Sequence, residues 1–158
     1  MAKVSEGIKM KGMFRVHIAN PDGSIAGDSG WRKNQITNDG MNQYVVMSLG
    51  SISGSKFITH MAIGTGGAPA ASDTALVGEQ SVRAAVTAAT TTGSKTLNLL
   101  ATFASAASFV TASKNISNIG LFNTSTAATG TIFAGNTFTS SACATNQAVN
   151  ATYQIIFS

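Results

Sequence analysis

The chain has 158 residues, 44% of them hydrophobic, and this is enough to bury the core of one domain. Only 10% of the residues are charged, far below the roughly 25% of an ordinary soluble domain. No apolar run approaches the about 20 residues that a membrane-spanning helix needs, and the first residues show no apolar stretch typical of a secretion signal. Composition therefore argues against a disordered chain, a helical membrane protein and an exported one.

The few charges are unevenly distributed. Lys3, Lys9, Lys11 and Arg15 oppose only one acidic residue within the first fifteen, whereas Lys114 is the single charged side chain from residue 96 to the end. A free monomer normally uses surface charge to stay soluble and to protect its sheet edges. A nearly uncharged half is better suited to being covered by other protein surfaces, although a solvated Ser/Thr/Asn surface is the simpler alternative.

The first part of the chain predicts an arm followed by a hairpin. Residues 1–12 are basic and show no strict period, so we expect an extended N-terminal arm. Strict alternation predicts a first strand at Met13–Ala19, and Asn20-Pro21-Asp22-Gly23 is a typical turn sequence. The partner strand is expected at residues 24–26, with another short strand at residues 31–35.

One short helix is predicted near residues 38–49. Thr37 or Asn38 can cap its start, the acidic Asp39 suits its first turn, and Gly50 is well placed to end it. The helical spacing puts Met41, Tyr44, Val45, Ser48 and Leu49 near one face.

The rest of the sequence predicts strand after strand, with turn residues between them. The expected strands are 57–63, 82–90, 95–103, 116–122, 131–138 and 149–157, and a single helical turn is expected near residues 72–76. This spacing predicts a mainly β protein, an antiparallel β-sandwich of jelly-roll type. We expect residues 13–158 to form that single domain.

No motif indicates catalysis. The glycine cluster at residues 64–67 lacks the spacing and the lysine of a phosphate-binding loop, so we interpret it as a plain loop. His17 and His60 lie on predicted strands and are expected to be structural, because no third metal ligand is suitably spaced. Cys143 stands alone, which rules out an internal disulfide, and we expect it in or near the core. We therefore predict a protein that is not an enzyme and that uses no cofactor or metal.

The basic arm is the candidate contact site. Lys3, Lys9, Lys11 and Arg15 could bind nucleic acid through non-specific electrostatics, but no basic stripe interleaved with aromatic residues accompanies them. We favour contact with an acidic protein neighbour and expect no specific nucleic acid partner. A solvated arm that only aids solubility is the remaining alternative.

Three segments, taken in order, carry a resemblance. They are Asn34–Gly40, which leads into the helix, then residues 58–83 with the sequence Ile-Thr-His-Met-Ala-Ile-Gly-Thr-Gly at their start, and finally Ile116–Phe122. Together they resemble a domain of tailed-bacteriophage tail-fibre and tail-collar proteins and of small stand-alone phage structural proteins. The resemblance departs at Asn118, where those proteins tend to have an acidic residue.

The resemblance implies a β-rich component of the phage particle with no catalytic residues. Combined with the charge distribution, it leads us to expect a capsid decoration, or cement, protein that is made in the bacterial cytoplasm and located on the virion surface. Its partners would be the major capsid protein and further copies of itself, as a trimer. A tail-fibre or baseplate adaptor is the alternative. A glycan-binding module would need exposed aromatic residues, for which Trp31 and Phe109 are the candidates.

Overall fold

A computed structural model describes residues 7–158, and Lys3 with the other five N-terminal residues lies outside the described part. Within residues 7–158 the chain is built mainly from β-strands. The strands are β1 (Met10–Ala19), β2 (Ile25–Asp28), β3 (Arg32–Lys33), β4 (Gln35–Ile36), β5 (His60–Gly64), β6 (Ala84–Ala85), β7 (Thr87–Ala88), β8 (Thr96–Phe103), β9 (Lys114–Phe122), β10 (Ile132–Cys143) and β11 (Ala148–Phe157).

The strands form two antiparallel sheets. The first has the order β2-β1-β11-β8-β7, with β3 also paired to β1, and the second has the order β4-β10-β9-β5-β6. Every pairing within them is antiparallel. The predicted mainly β, antiparallel fold is confirmed.

One hydrophobic core takes residues from both sheets. Alternation along β1 and β11 turns every second side chain inward. The ring of Phe14 in β1 stacks on Tyr153 of β11 at 5.5 Å between centroids and meets Phe138 of β10, in the other sheet, edge-on at 6.2 Å. Sharing a core in this way is what the predicted sandwich requires, and the jelly-roll strand order stays a prediction.

The N-terminal strand begins earlier than predicted. β1 starts at Met10 rather than Met13, and Lys9 already exchanges two backbone hydrogen bonds with Ser158, of 2.7 and 2.9 Å. The last residues of the predicted arm are therefore part of the sheet. The sequence hides this because Gly12 occupies an inward position, where an added Cβ would lie 1.9 Å from Asn34 Oδ1. The alternation is thus broken by a glycine that makes room for a neighbour.

The predicted helix is present, with an unexpected geometry. The chain turns helical at residue 38, forms a π-helical segment at Gly40–Val46 and ends in an α-helical turn at Met47–Leu49. The Thr37 hydroxyl accepts a hydrogen bond of 2.9 Å from the Gly40 N–H, so Thr37 supplies the cap. We call residues 38–49 the helical segment.

Several other predicted boundaries are wrong. β5 begins at His60 instead of residue 57, the strand predicted at 82–90 is split into β6 and β7, and β10 continues to Cys143 past a register shift between Thr137 and Ser141. Such irregularities break the alternation that sequence analysis depends on. Residues 72–76 form turns without a helix, and a 3-10 turn at Ser105–Ala107 was not predicted.

Candidate contact surfaces

The outer face of the first sheet brings the basic residues and the uncharged strands together. In β1, Lys11 lies opposite Ile156 of β11, and Arg15 lies opposite Thr152. Directly opposed residues share a face, so these cations adjoin the outward side chains of β11. The sequence had treated the basic arm and the uncharged strands as two separate surfaces, and the structure combines them into one.

Arg15 is not a free cation on this face. Its guanidinium contacts the Asp28 carboxylate of β2 twice, with Nη2–Oδ2 at 2.5 Å and Nε–Oδ1 at 3.0 Å. This hydrogen bonding to Arg15, together with the Gly30 backbone N–H, holds the pKa of Asp28 well below its usual range. Lys9 and Lys11 are exposed and make no ion pair with any described residue. Among the predicted contact residues within 7–158, these two lysines carry the uncompensated charge.

The remainder of the outer face consists of amides, hydroxyls and a few apolar side chains. Two cross-strand pairs tie β8 to β11: Thr102 donates to Asn150 Oδ1 at 2.8 Å, and Gln154 donates to Asn98 Oδ1 at 3.1 Å. Leu100 lies exposed between these pairs. These hydrogen bonds hold the side chains in place across the strands, so little side-chain entropy would be lost if a neighbouring protein covered them.

A second surface is an apolar groove beside the helical segment. It runs between that segment and the first sheet, and we call it the helical groove. Its lining includes Ile8, Met10, Met41, Tyr44, Val45, Leu49, Phe57 and Phe157. One part of it has a volume of about 590 Å³.

Sequence reasoning put the apolar side chains of the helix near one face and did not identify this groove. Tyr44 is buried, but Leu49 and Met41 are exposed. Phe57, predicted as part of a buried strand, lies outside β5 and is exposed as well. An amphipathic pattern identifies an apolar face without showing how much of it the fold can cover.

The loops within the three segments that carry the resemblance have structural roles here. The buried Asn118 amide donates to the backbone oxygens of Gly67 at 3.0 Å and Val77 at 2.8 Å. The Ser117 hydroxyl donates to Gly66 O at 3.0 Å. Two hydrogen bonds from β9 thus hold the Gly64–Gly67 loop, and a third holds the following loop at Val77. This agrees with the interpretation of the glycine cluster as a loop.

The histidines and the cysteine also lie where the sequence placed them. His17 is on β1 with Nε2 3.3 Å from Asp28 Oδ1, and His60 is on β5 with Nδ1 2.9 Å from Thr59 Oγ1. Burial lowers the pKa of His60. In the described residues no three His, Cys, Asp or Glu side chains gather as metal ligands would. Cys143 is fully buried, which confirms its predicted place in the core, and burial raises its thiol pKa.

Of the two aromatic residues considered for glycan binding, Trp31 is exposed and Phe109 is buried against Phe103. Of these two candidates, only Trp31 presents a ring on which a sugar could stack. No helix in residues 7–158 is long and apolar enough to cross a bilayer.

Compared with known proteins, the chain matches no family model, no curated protein and no solved structure. Its surfaces therefore carry the functional argument.

Proposed function

We propose that this protein is a non-enzymatic structural subunit of a tailed-phage particle, a capsid decoration protein located on the virion surface. It acts through contact area and stabilises the head shell by holding neighbouring subunits together. The proposal rests on one observation above all. A well-packed core supports a sheet face on which β8 and β11 are uncharged, and the exposed Lys9 and Lys11 lie beside them, just before β1 and on it.

This face has the features expected of a docking surface for an acidic neighbour. Depletion of charge at the centre and polar or charged groups at the rim are typical of protein interfaces. The two lysines would steer the approach, because rim charges chiefly affect association rate and orientation. The central Asn, Thr and Gln side chains, already paired across strands, would be buried with little ordering. The partner on the particle is the major capsid protein.

Charge neutralisation tests the proposal. Lys3→Gln, Lys9→Gln and Lys11→Gln are combined in the full chain, and binding to heads stripped of this protein is measured by co-sedimentation at several salt concentrations. We expect weaker binding and a shallower salt dependence than for the unmodified chain. Substitution is preferable to deletion of residues 1–12, because deletion would remove Met10–Gly12 from β1.

Lys95→Gln combined with Lys114→Gln is the control, since both lysines are exposed and neither lies on β1 or opposite it. This control should bind stripped heads as the unmodified chain does. Equal binding by the triple variant and the control, at every salt concentration, would contradict the proposed role of the basic strand.

A tail-fibre or baseplate adaptor is the second candidate, and the three resembling segments favour it. They supply the cap at Thr37, the loop at residues 64–67 and its support by Asn118. Copy number distinguishes the two candidates. Quantitative mass spectrometry of purified virions should give hundreds of copies for a head protein and at most a few dozen for a tail protein, and imaging of labelled particles should agree.

A further inference from the structure

The helical groove has no occupant among the described residues, although it is lined by apolar side chains. Its rim side chains are among the most exposed of the chain: Ile8 is 88%, Leu49 85% and Phe57 68% exposed. Single exposed apolar residues are ordinary, but a contiguous apolar patch marks an interaction site. These three side chains surround the same partly buried floor of Met10, Val45 and Phe157.

Charge separates this groove from the proposed docking face. Alternation along β1 turns Met10 toward the groove and Lys11 toward the opposite face of the sheet. Among residues 7–158, Lys56 is the only charged side chain lining the groove, and its Nζ donates to the Thr131 hydroxyl. An acidic partner that fits the two lysines would therefore gain nothing here. The occupant must present an apolar, uncharged surface.

The chain itself offers such a surface. Ile8 and Leu49 project from the rim as knobs, beside a groove wide enough for side chains of that size. Self-complementary surfaces that combine projecting and recessed apolar groups are what closed assemblies of identical subunits use. We propose that a second copy of this chain docks at the helical groove. The inference deepens the proposed function, because it assigns the contact between copies that such a subunit needs.

The exposed side chains support a contact of interface size. Ile8, Leu49 and Phe57 are at least 68% exposed, and Met41, also in the lining, is 42% exposed. Covered together, large side chains such as these supply a substantial share of the about 800 Å² that each partner buries in a standard interface. The uncharged strands β8 and β11, which the sequence favoured for self-contact, are then left for the particle.

The test uses the isolated full chain, so its failure is separable from failure of head binding. Sedimentation equilibrium of the unmodified protein should give two or three times the 16.1 kDa of one chain. Leu49→Asp and Phe57→Asp place a carboxylate in the contact and should raise the dissociation constant at least tenfold, because an unpaired charge would have to be buried. Both side chains are exposed in the isolated monomer, so these substitutions should change the thermal midpoint of the monomer little.

Ile25→Asp is the matched control, since Ile25 is 61% exposed on β2, away from the groove lining. This control should keep the mass of the unmodified protein. If an Asp variant fails to fold by circular dichroism, Leu49→Ser and Phe57→Ser replace it.

Two results would overturn the inference. The first is an unmodified chain that sediments as a 16.1 kDa monomer at every concentration. If Leu49→Asp then also abolished binding to stripped heads, the groove would be a contact site for the head instead of for a second copy. The second is an oligomer whose mass neither groove variant changes. A monomeric groove variant that still binds heads would support both this inference and the proposed function.

Discussion

Arg83 Nε lies 2.5 Å from Glu79 Oε1, and both side chains are almost completely buried. Nη2 of the same guanidinium donates to Glu79 Oε2 at 3.1 Å, and Nη1 donates to Thr124 O at 3.0 Å. The guanidinium carbon lies 3.6 Å from the centroid of the Phe122 ring. The ion pair lies within the irregular segment before β6, and the contacts of Arg83 with Thr124 and Phe122 hold that segment against the end of β9.

Breaking this pair should destabilise the protein strongly. Arg83→Met removes the cation and leaves the Glu79 carboxylate buried without its partner, so we expect a loss of about 3–5 kcal/mol in the free energy of unfolding. Urea denaturation followed by circular dichroism measures it. The double variant with Glu79→Leu should recover part of the loss, because no buried charge then remains.

The Arg15–Asp28 pair provides the comparison, since it has a similar two-contact geometry with about a third of each side chain exposed. Arg15→Met should cost less than about 1 kcal/mol. If the two arginine substitutions cost the same, burial would not be the reason for the strength of the Arg83 pair.

The amide at position 118 should not tolerate a carboxylate. Asn118→Asp keeps the shape but replaces a donor to the Gly67 and Val77 carbonyls with a negatively charged acceptor. We expect a loss of about 2–4 kcal/mol at pH 7, because the buried carboxylate would face two carbonyl oxygens that have lost their donor. The introduced carboxyl should have a raised pKa, so the stability of the variant should increase as the pH falls through that value.

Asn150→Asp is the control for this substitution. Asn150 is exposed and accepts a hydrogen bond from Thr102, which a carboxylate can also accept. The free energy of unfolding of the Asn150→Asp variant should stay within about 0.5 kcal/mol of that of the unmodified protein. A fully stable Asn118→Asp protein at pH 7 would show that the loop does not depend on the amide donor.

Gly40 should be essential at the start of the helical segment. An added Cβ would lie 2.0 Å from Phe133 O, a backbone atom of β10 that cannot turn away. Gly40→Ala should therefore cost at least about 2 kcal/mol by overpacking, despite the higher helix propensity of alanine. Gly67→Ala is the control, because nothing lies within 4 Å of its added Cβ. Thermal unfolding should separate the two variants by several degrees, and equal midpoints would contradict the close approach.

The protein should lose stability in alkali through its buried tyrosines. Burial raises the pKa of Tyr153 above its ordinary value, and the Asn34 amide, close by but outside hydrogen-bond geometry, offsets this only in part. Because the pKa of Tyr153 is higher in the folded than in the unfolded state, its neutral phenol contributes fully to stability below the unfolded-state pKa of about 10. This contribution to the free energy of unfolding is lost as the pH rises above that value. Stability should fall there by up to about 1.4 kcal/mol per pH unit for each such group.

Tyr153→Phe tests this directly, since its hydroxyl has no hydrogen-bond partner among residues 7–158. The variant should match the unmodified protein at pH 7 and show a shallower decline between pH 10 and 12. Urea denaturation across this range measures both slopes. Parallel slopes would mean that other groups, such as Tyr44 or Cys143, account for the alkaline loss.

The sequence by itself determined the fold class and several local features. Alternation identified β1 and β11, because inward side chains in a two-sheet protein must be apolar at every second position. The turn at residues 20–23 and the cap at Thr37 followed from short-range chemistry between sequence neighbours. The burial of Cys143 followed from the hydrophobic character of a lone cysteine. The function stayed a prediction from the sequence, because a low content of charged residues does not show which face of the fold is exposed.

Only the tertiary structure decided which surfaces exist. Gly12 concealed the start of β1, because its inward position is filled by Asn34 from another part of the chain. Lys11 came to share a face with the uncharged strands only through the pairing of β1 with β11. The helical groove appeared because the helical segment covers the core with Tyr44 and leaves Leu49 outside. Each of these depends on contacts between residues far apart in sequence, which local patterns do not encode.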